Sequence, residues 1–179
     1  MTRILDPTLH AVPPRPAARA ARPPRLAGAT LGLLANGKTH GMTFLERVAE
    51  HLRARHAVGE LVRVTKANPS AAARPEDTAW LATKCVAVVT AIGDWGSCSS
   101  GSVLDAITLE KQGIPAVAVV TEPFAPTAAA LAKLNGMPGY PFVVVPHPFG
   151  SLDEAAVRSR ADAALARIER LLLGGAEEP

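Results

Sequence analysis

Chemically versatile side chains are concentrated in one short segment, AIGDWGSCSSGS at residues 91–102. The segment follows the apolar run VAVVT and precedes VLDAITLEKQGIP, whose pattern indicates a helix. Cys98, one of only two cysteines in the chain, would lie just before that helix begins. Free backbone N–H groups and the positive end of a helix dipole stabilise a thiolate there. Cys98 is therefore the candidate nucleophile or redox thiol, with an inert cysteine buried in a glycine-rich turn as the alternative.

The same segment has the composition of an anion-binding loop. Serine hydroxyls can cap a helix and donate to an anion, and glycines let the backbone approach a ligand closely. The segment matches neither GxGxxG nor GxxxxGK[ST], so no nucleotide cofactor is predicted. The residues assigned to ligand binding here are Asp94, Trp95, Gly96, Ser97, Ser99 and Ser100.

Acid–base candidates follow two later apolar runs. His147, in VVVPHPFG, lies between two prolines that fix its backbone, and Glu122 lies in VVTEPF. His147 is predicted to be a general acid, a base or the partner of the thiolate, against a loop histidine that is merely hydrogen bonded. Glu122 either donates a proton or orients the next helix. The ligand-binding set is completed by Thr121 and by Asn36, Gly37 and Lys38 of NGKTHG, with His40 as a weaker candidate.

Cysteine and histidine spacing argues against a metal site. Neither C-x-x-C nor H-E-x-x-H occurs, so no metal is predicted, and the convergence of Cys98, His147 and Glu122 on zinc is only a remote alternative. Two cysteines cannot make a disulfide framework, which favours reduced thiols in a cytoplasmic protein. Cys85 ends a helical pattern and runs into an apolar strand, so it is predicted to be a thiol of the core.

Alternating strands and helices must position these residues. Strands are predicted at 29–37, 60–66, 86–92, 114–120 and 142–146, and helices at 42–56, 75–85, 100–112, 125–135 and 152–173. This alternation predicts right-handed crossovers and an α/β three-layer sandwich with a mainly parallel sheet of about five strands, Rossmann- or flavodoxin-like. Since the carboxyl ends of parallel strands meet at one edge, we expect the candidate residues to gather there.

Length and charge limit what else the protein can be. The 179 residues suffice for one domain, predicted at 28–179, whereas residues 1–27 carry five arginines, one aspartate and six prolines and are predicted to be a disordered or flexible extension. Most of the net charge of +3 lies in that extension, so the domain shows no nucleic-acid footprint. No apolar run is long enough for a membrane span.

Two stretches of the chain resemble a known family. GDWGSCSSGSVLDAITLEKQGIPAVAVVTEPF and GMPGYPFVVVPHPFG are similar to the UGSC family of selenoprotein-like proteins, named for a selenocysteine–Gly–Ser–Cys motif, over about residue 31 to PHPFG. More distantly they resemble the selenoprotein B subunits of glycine and proline reductases, in which a selenocysteine attacks the substrate and then pairs with a cysteine. Trp95 occupies the selenocysteine position here and Cys98 the cysteine position. The resemblance therefore implies a single-thiol mechanism, or a pocket with an indole wall.

The combined expectation is a reductase-like small-molecule enzyme that uses Cys98, with Glu122 and His147 as acid–base partners. Its substrate is expected to be small and anionic. Two alternatives remain: a cysteine-dependent isomerase, racemase or lyase, and a non-catalytic anion-binding subunit that has lost the selenocysteine chemistry. A second copy of the chain and a redox protein both stay open as partners.

Overall fold

A parallel sheet of five strands organises the computed structural model, which describes residues 15–174. The strands are β1 (Leu31–Ala35), β2 (Leu61–Thr65), β3 (Ala87–Gly93), β4 (Ala116–Thr121) and β5 (Val143–Val145). Their order across the sheet is β2-β1-β3-β4-β5, and each neighbouring pair is parallel. This is the strand order of flavodoxin-like proteins, so the predicted fold class is confirmed.

Five helices cover the two faces of the sheet. They are α1 (Gly41–His56), α2 (Pro75–Lys84), α3 (Gly96–Lys111), α4 (Ala125–Leu134) and α5 (Glu154–Leu173), with a 3-10 turn at Glu122–Phe124 between β4 and α4. Consecutive side chains of a strand point to opposite faces. Accordingly Leu33 belongs to a core with α1 and α5, and Leu34 to a second core with α2, α3 and α4. Within residues 15–174, no helix combines the length and apolar character that crossing a membrane requires.

Cys85 lies in the second core, as predicted. Its side chain is almost fully buried, and burial raises the pKa of its thiol to about 11.

Helix α3 begins earlier than the sequence indicates. Trp95 is extended, with φ −145° and ψ 168°, and its carbonyl accepts the first α-helical hydrogen bond from the Ser99 amide at 2.9 Å. The helix therefore starts at Gly96, and the prediction that Cys98 precedes the helix was wrong: Cys98 lies in its first turn. Glycine and serine have low helix propensity, which concealed this turn in the sequence.

The N-terminal segment also differs from its prediction. Residues 15–27, predicted to belong to a flexible extension, lie along the domain, whereas residues 1–14, to which the same prediction applies, fall outside the described residues. The Ala17 amide donates at 2.8 Å to a carbonyl just after α4, and Leu26 is buried in the first core.

A buried carboxylate explains why this segment is held. Glu110 of α3 is 2% exposed and forms a bidentate pair with Arg22 at 2.7 and 2.8 Å. It also accepts the amides of Ala20 at 2.6 Å and Ala116 at 3.0 Å, and Arg22 Nε donates to Leu171 O at 2.9 Å. A carboxylate in such a site needs a positive partner, which the N-terminal segment supplies.

Candidate functional site

The predicted site loops all follow the carboxyl ends of strands. Between β1 and β3 the strand order changes direction, because the chain leaves β1 towards β2 and leaves β3 towards β4. Open α/β sheets bind ligands in the crevice at this kind of switch point. The loops after β1 and β3 flank the switch point, and those after β4 and β5 continue the same edge.

His147 is held at this edge by residues from two other strand ends. Its Nδ1 lies 3.3 Å from Thr121 Oγ1 and 3.1 Å from Asp94 Oδ1. The Thr121 hydroxyl lies 3.2 Å from Gly93 O, and when it donates its proton there it accepts from the imidazole. This arrangement and the nearby Asp94 carboxylate favour a proton on Nδ1, which leaves the lone pair on Nε2 when the ring is neutral.

Asp94 supplies the negative charge behind this ring. It is 6% exposed, and its Oδ2 accepts the Gly150 amide at 3.0 Å. Its Oδ1 has no well-aligned hydrogen bond within the described residues, although His147 Nδ1 lies at ion-pair distance. Asp94 thus acts on the imidazole mainly through its charge, and Thr121 through a hydrogen bond. The sequence analysis assigned Asp94 to ligand binding and did not predict this contact, which joins the loops after β3 and β5.

Cys98 is enclosed rather than open to a ligand. Its side chain is fully buried, and its Sγ accepts the amides of Asp94 at 3.3 Å and Trp95 at 3.0 Å. The thiol also lies 3.3 Å from Trp95 O, to which it donates. The two N–H groups are of the kind that stabilises a thiolate, but in this conformation the sulfur closes the loop instead of facing outwards.

Some of the other loop residues are packed in the interior, and others face solvent. A Cβ on Gly93 would lie 2.5 Å from Ser99 Cα, so only glycine lets α3 come this close to the end of β3. Ser99 is fully buried and its hydroxyl has no partner within the described residues. Ser97 is exposed and its hydroxyl lies 3.0 Å from that of Ser70. Gly96 and Ser100 are half-buried.

The loop after β1 contributes one buried and two accessible residues. Asn36 is fully buried; its Nδ2 donates to Ile92 O at 2.5 Å and its Oδ1 accepts the Lys38 amide at 3.1 Å, so it ties the ends of β1 and β3 together. Gly37 has φ 84°, a conformation that favours glycine. Lys38 is half-buried, and no carboxylate of the described residues lies within 4.0 Å of its ammonium.

Two weaker candidates do not join the His147 cluster. Glu122 is exposed at the start of the 3-10 turn, and within the described part of the chain it makes no ion pair. His40 is the N-cap of α1 with φ 65°, and its side chain makes no capping bond.

Sequence reasoning missed one aromatic residue of the edge. Phe124 lies between Trp95 and His147, with ring centroids 6.4 Å from the indole and 6.1 Å from the imidazole. Trp95 itself is 61% exposed. The TEPF turn carried the signal, because Phe124 follows the end of β4 within three residues.

A buried ion pair beside the loop was also missed. Lys66 Nζ lies 2.6 Å from Asp105 Oδ2 and donates to Ala71 O at 2.7 Å, while Asp105 Oδ1 accepts the Ala73 amide at 2.7 Å. Burial raises the pKa of Asp105, and the hydrogen bond from Lys66 opposes that rise. The pair fixes residues 67–73 against α3. An aspartate on the apolar face of α3 is the sequence signal for it.

Two cavities of the described structure lie away from the candidate residues. One cavity of about 340 Å³ lies between the N-terminal segment and residues 136–140, and another of about 350 Å³ lies under residues 65–74. Neither is lined by Cys98 or His147. Among residues 15–174 there is no group of three or more histidine, cysteine and acidic side chains that could hold a metal.

Comparison with known proteins relates the chain to a solved structure and to a protein family. The crystal structure of a diflavin flavoprotein A3 from Nostoc sp. is similar at 14% identity and a TM-score of 0.43, covering 84% of this chain and 99% of that one. No curated protein gives a significant match. The family model described as the UGSC family matches residues 3–174. Because this match spans almost the whole sequence, the chain belongs to the UGSC family.

Proposed function

We propose that this protein is a small-molecule enzyme in which His147 transfers a proton at the carboxyl edge of the sheet. The observation that carries the proposal is the arrangement around the imidazole. Thr121 and Asp94 occupy the side of Nδ1, so Nε2 is the atom offered to a ligand. An imidazole held from behind in this way is a common general acid–base catalyst.

The reaction class that fits is proton abstraction and return, as in an isomerase, a racemase or a lyase. Neutral Nε2 would take a proton from the substrate, and the imidazolium beside Asp94 would return it. The substrate is proposed to be small and anionic. In support, the amides of Gly96 and Ser97 precede the first intrahelical bond of α3, its first turn holds no acid, and Lys38 lies at the same edge.

Thiol chemistry at Cys98 is the second candidate function, favoured by the two amides that point at its sulfur. It would require the loop to open, since the sulfur is fully buried. Three residues before Cys98 stands Trp95, which is not a redox group. The reductase-like reaction of the distant resemblance would therefore need an external thiol or another redox partner.

Metabolite profiling distinguishes these functions. The purified protein is incubated with a small-molecule extract of cells, and compounds that are consumed or converted to isomers are identified by liquid chromatography, including a chiral phase, coupled to mass spectrometry. We expect His147→Gln to slow consumption by about a hundredfold or more, because general acid–base catalysis contributes at least that much. Cys98→Ser should remain within a few-fold of the wild type. His51→Gln, a histidine paired with Asp162 on α1 and α5, is the matched control and should have no effect.

Each other outcome identifies a different function. Loss of consumption in Cys98→Ser, with His147→Gln still active, would replace the proton-transfer proposal by the thiol candidate. If the wild type consumed nothing, the enzyme proposal would fail in favour of a binding subunit.

A further inference from the structure

Three rings from three different loops meet at the carboxyl edge. Trp95 follows β3, Phe124 follows β4 and His147 follows β5. The Trp95 and Phe124 rings are tilted by 33° with centroids 6.4 Å apart, and Phe124 meets His147 edge-on at 70° and 6.1 Å. Both separations lie within the range of favourable aromatic pairs. Because Phe124 contacts both other rings, it relates the position of the Trp95 indole to that of the His147 imidazole.

Aromatic side chains are scarce elsewhere on the surface of this protein. Only seven residues are Phe, Trp or Tyr. Phe44, Phe149 and Tyr140 are buried, and Phe142 packs partly against the second core. Trp80 is half-exposed on α2, where Lys84 lies 4.9 Å from its ring centroid. The two remaining aromatic side chains, Trp95 and Phe124, therefore lie beside His147 rather than in the core.

The indole is the most exposed part of this cluster. Trp95 is 61% exposed although its neighbour Cys98 is fully buried, so the loop packs its thiol inwards and presents its largest apolar surface outwards. Phe124 packs beside the indole, with 6.4 Å between the ring centroids. Indole and phenyl faces select flat, polarisable partners, because stacked and edge-on rings gain more than contact with a saturated group of equal size.

We infer that the substrate of this site carries a planar aromatic ring, which stacks on Trp95 and Phe124 so that its reacting proton faces His147 Nε2. This inference rests on the proposed function of His147 and adds the class of molecule on which it acts. Trp95 thereby becomes a specificity residue. The anionic group of the substrate, held by Lys38 and the start of α3, would be a substituent of the ring.

Nuclear magnetic resonance can test whether the site binds an aromatic ring, independently of catalysis. The indole N–H signals of Trp95 and Trp80 are followed while naphthoate, its neutral amide or the saturated decahydronaphthoate is added. Naphthoate and its amide should both move the Trp95 signal in a saturable way. Decahydronaphthoate should bind at least about tenfold more weakly, since it lacks a ring face. Trp80, exposed to a similar degree, is the control in the same sample and should not move.

Single substitutions distinguish the aromatic binding surface of Trp95 and Phe124 from the acid–base role of His147. Phe124→Leu should weaken naphthoate binding by roughly threefold to tenfold through loss of the aromatic support. His147→Gln should leave naphthoate binding within about twofold while abolishing turnover, because the imidazole meets the platform only at its edge. If the aromatic probes bind as expected but the wild-type protein shows no turnover, the proposed function of His147 fails and the inference of an aromatic binding site does not.

Three outcomes would overturn the inference. Equal binding of decahydronaphthoate would show a general apolar surface, and no movement of the Trp95 signal with either aromatic probe would show no ring site. A Trp95 signal that moves with protein concentration alone would assign the indole to contact with a second copy of the chain.

Discussion

The two thiols of this chain lie in different surroundings. Cys85 Sγ is packed in an apolar core, whereas Cys98 Sγ is met by two backbone amides at the start of α3. Desolvation without compensating donors raises the pKa of Cys85 to about 11. The residue type is the same, and the environment makes one thiol a core side chain and the other a cap for a helix.

The pKa of Cys85 predicts a specific pH dependence of stability. The folded protein keeps this proton up to a pH of about 11, whereas the unfolded chain loses it at about 9. The contribution of Cys85 is therefore fully present below pH 9 and is lost as the pH rises from 9 towards 11. Urea unfolding across this range should show a shallower decline in the free energy of unfolding for Cys85→Ala than for the wild type. Equal declines in the two proteins would contradict the account.

At the scale of elements, the position of α3 is set by contacts on three sides. Gly93 lets it approach the end of β3, Asp105 ties it to Lys66 and residues 67–73, and Glu110 ties it to Arg22. These contacts fix the amide-bearing start of α3. The helix therefore acts as the rigid part on which the candidate site is built.

Removing one member of the buried Lys66–Asp105 pair should be costly. Lys66→Met leaves a buried carboxylate without its counter-charge, and we expect a loss of about 3–5 kcal/mol in the free energy of unfolding. Adding Asp105→Asn should recover at least about 1 kcal/mol, because the amide oxygen can still accept from Ala73 and no charge remains.

The surface pair Arg63–Glu46 provides the control for this cycle. Both side chains are nearly half-exposed, so Arg63→Met should cost no more than about 1 kcal/mol. Chemical denaturation of Lys66→Met, Asp105→Asn, the double variant and Arg63→Met measures all these values. Additive losses in the Lys66 and Asp105 variants would show that the buried pair is not coupled.

The sequence predicted the elements better than the contacts between them. Continuous apolar runs such as VAVVT mark buried parallel strands, and all five strands overlap their predicted ranges. The start of α3 was missed because Gly96 and Ser97 carry no helix signal. The approach of Asp94 to His147 joins residues 53 positions apart, and local patterns hold no information on such a pairing.

At the scale of the whole molecule, the N-terminal segment closes the end of the domain opposite the site loops. Arg22 links Glu110 at the end of α3 to the Leu171 carbonyl at the end of α5. Leu26 then enters the core beside these elements before β1 begins. Residues 15–27 are thus a structural part of the domain.

Arginine variants test this role of the segment. Arg22→Ala leaves Glu110 buried without its counter-charge, so we expect a loss of about 3–5 kcal/mol and a clearly lower melting temperature. Arg25→Ala removes the same charge from an exposed position in the same segment and should change stability by less than about 0.5 kcal/mol. Equal melting temperatures of the two variants would show that the segment does not hold the domain together.

The protonation of His147 tests the central claim most directly. Nitrogen chemical shifts of its ring, recorded where the imidazole is neutral, report which nitrogen carries the proton. The geometry favours the proton on Nδ1, because a Thr121 hydroxyl that donates to Gly93 accepts there and the Asp94 carboxylate lies alongside. Thr121→Val should weaken this preference. A proton on Nε2 in the wild-type protein would mean that the atom offered to a ligand cannot accept a proton, and the acid–base role of His147 at this edge would be contradicted.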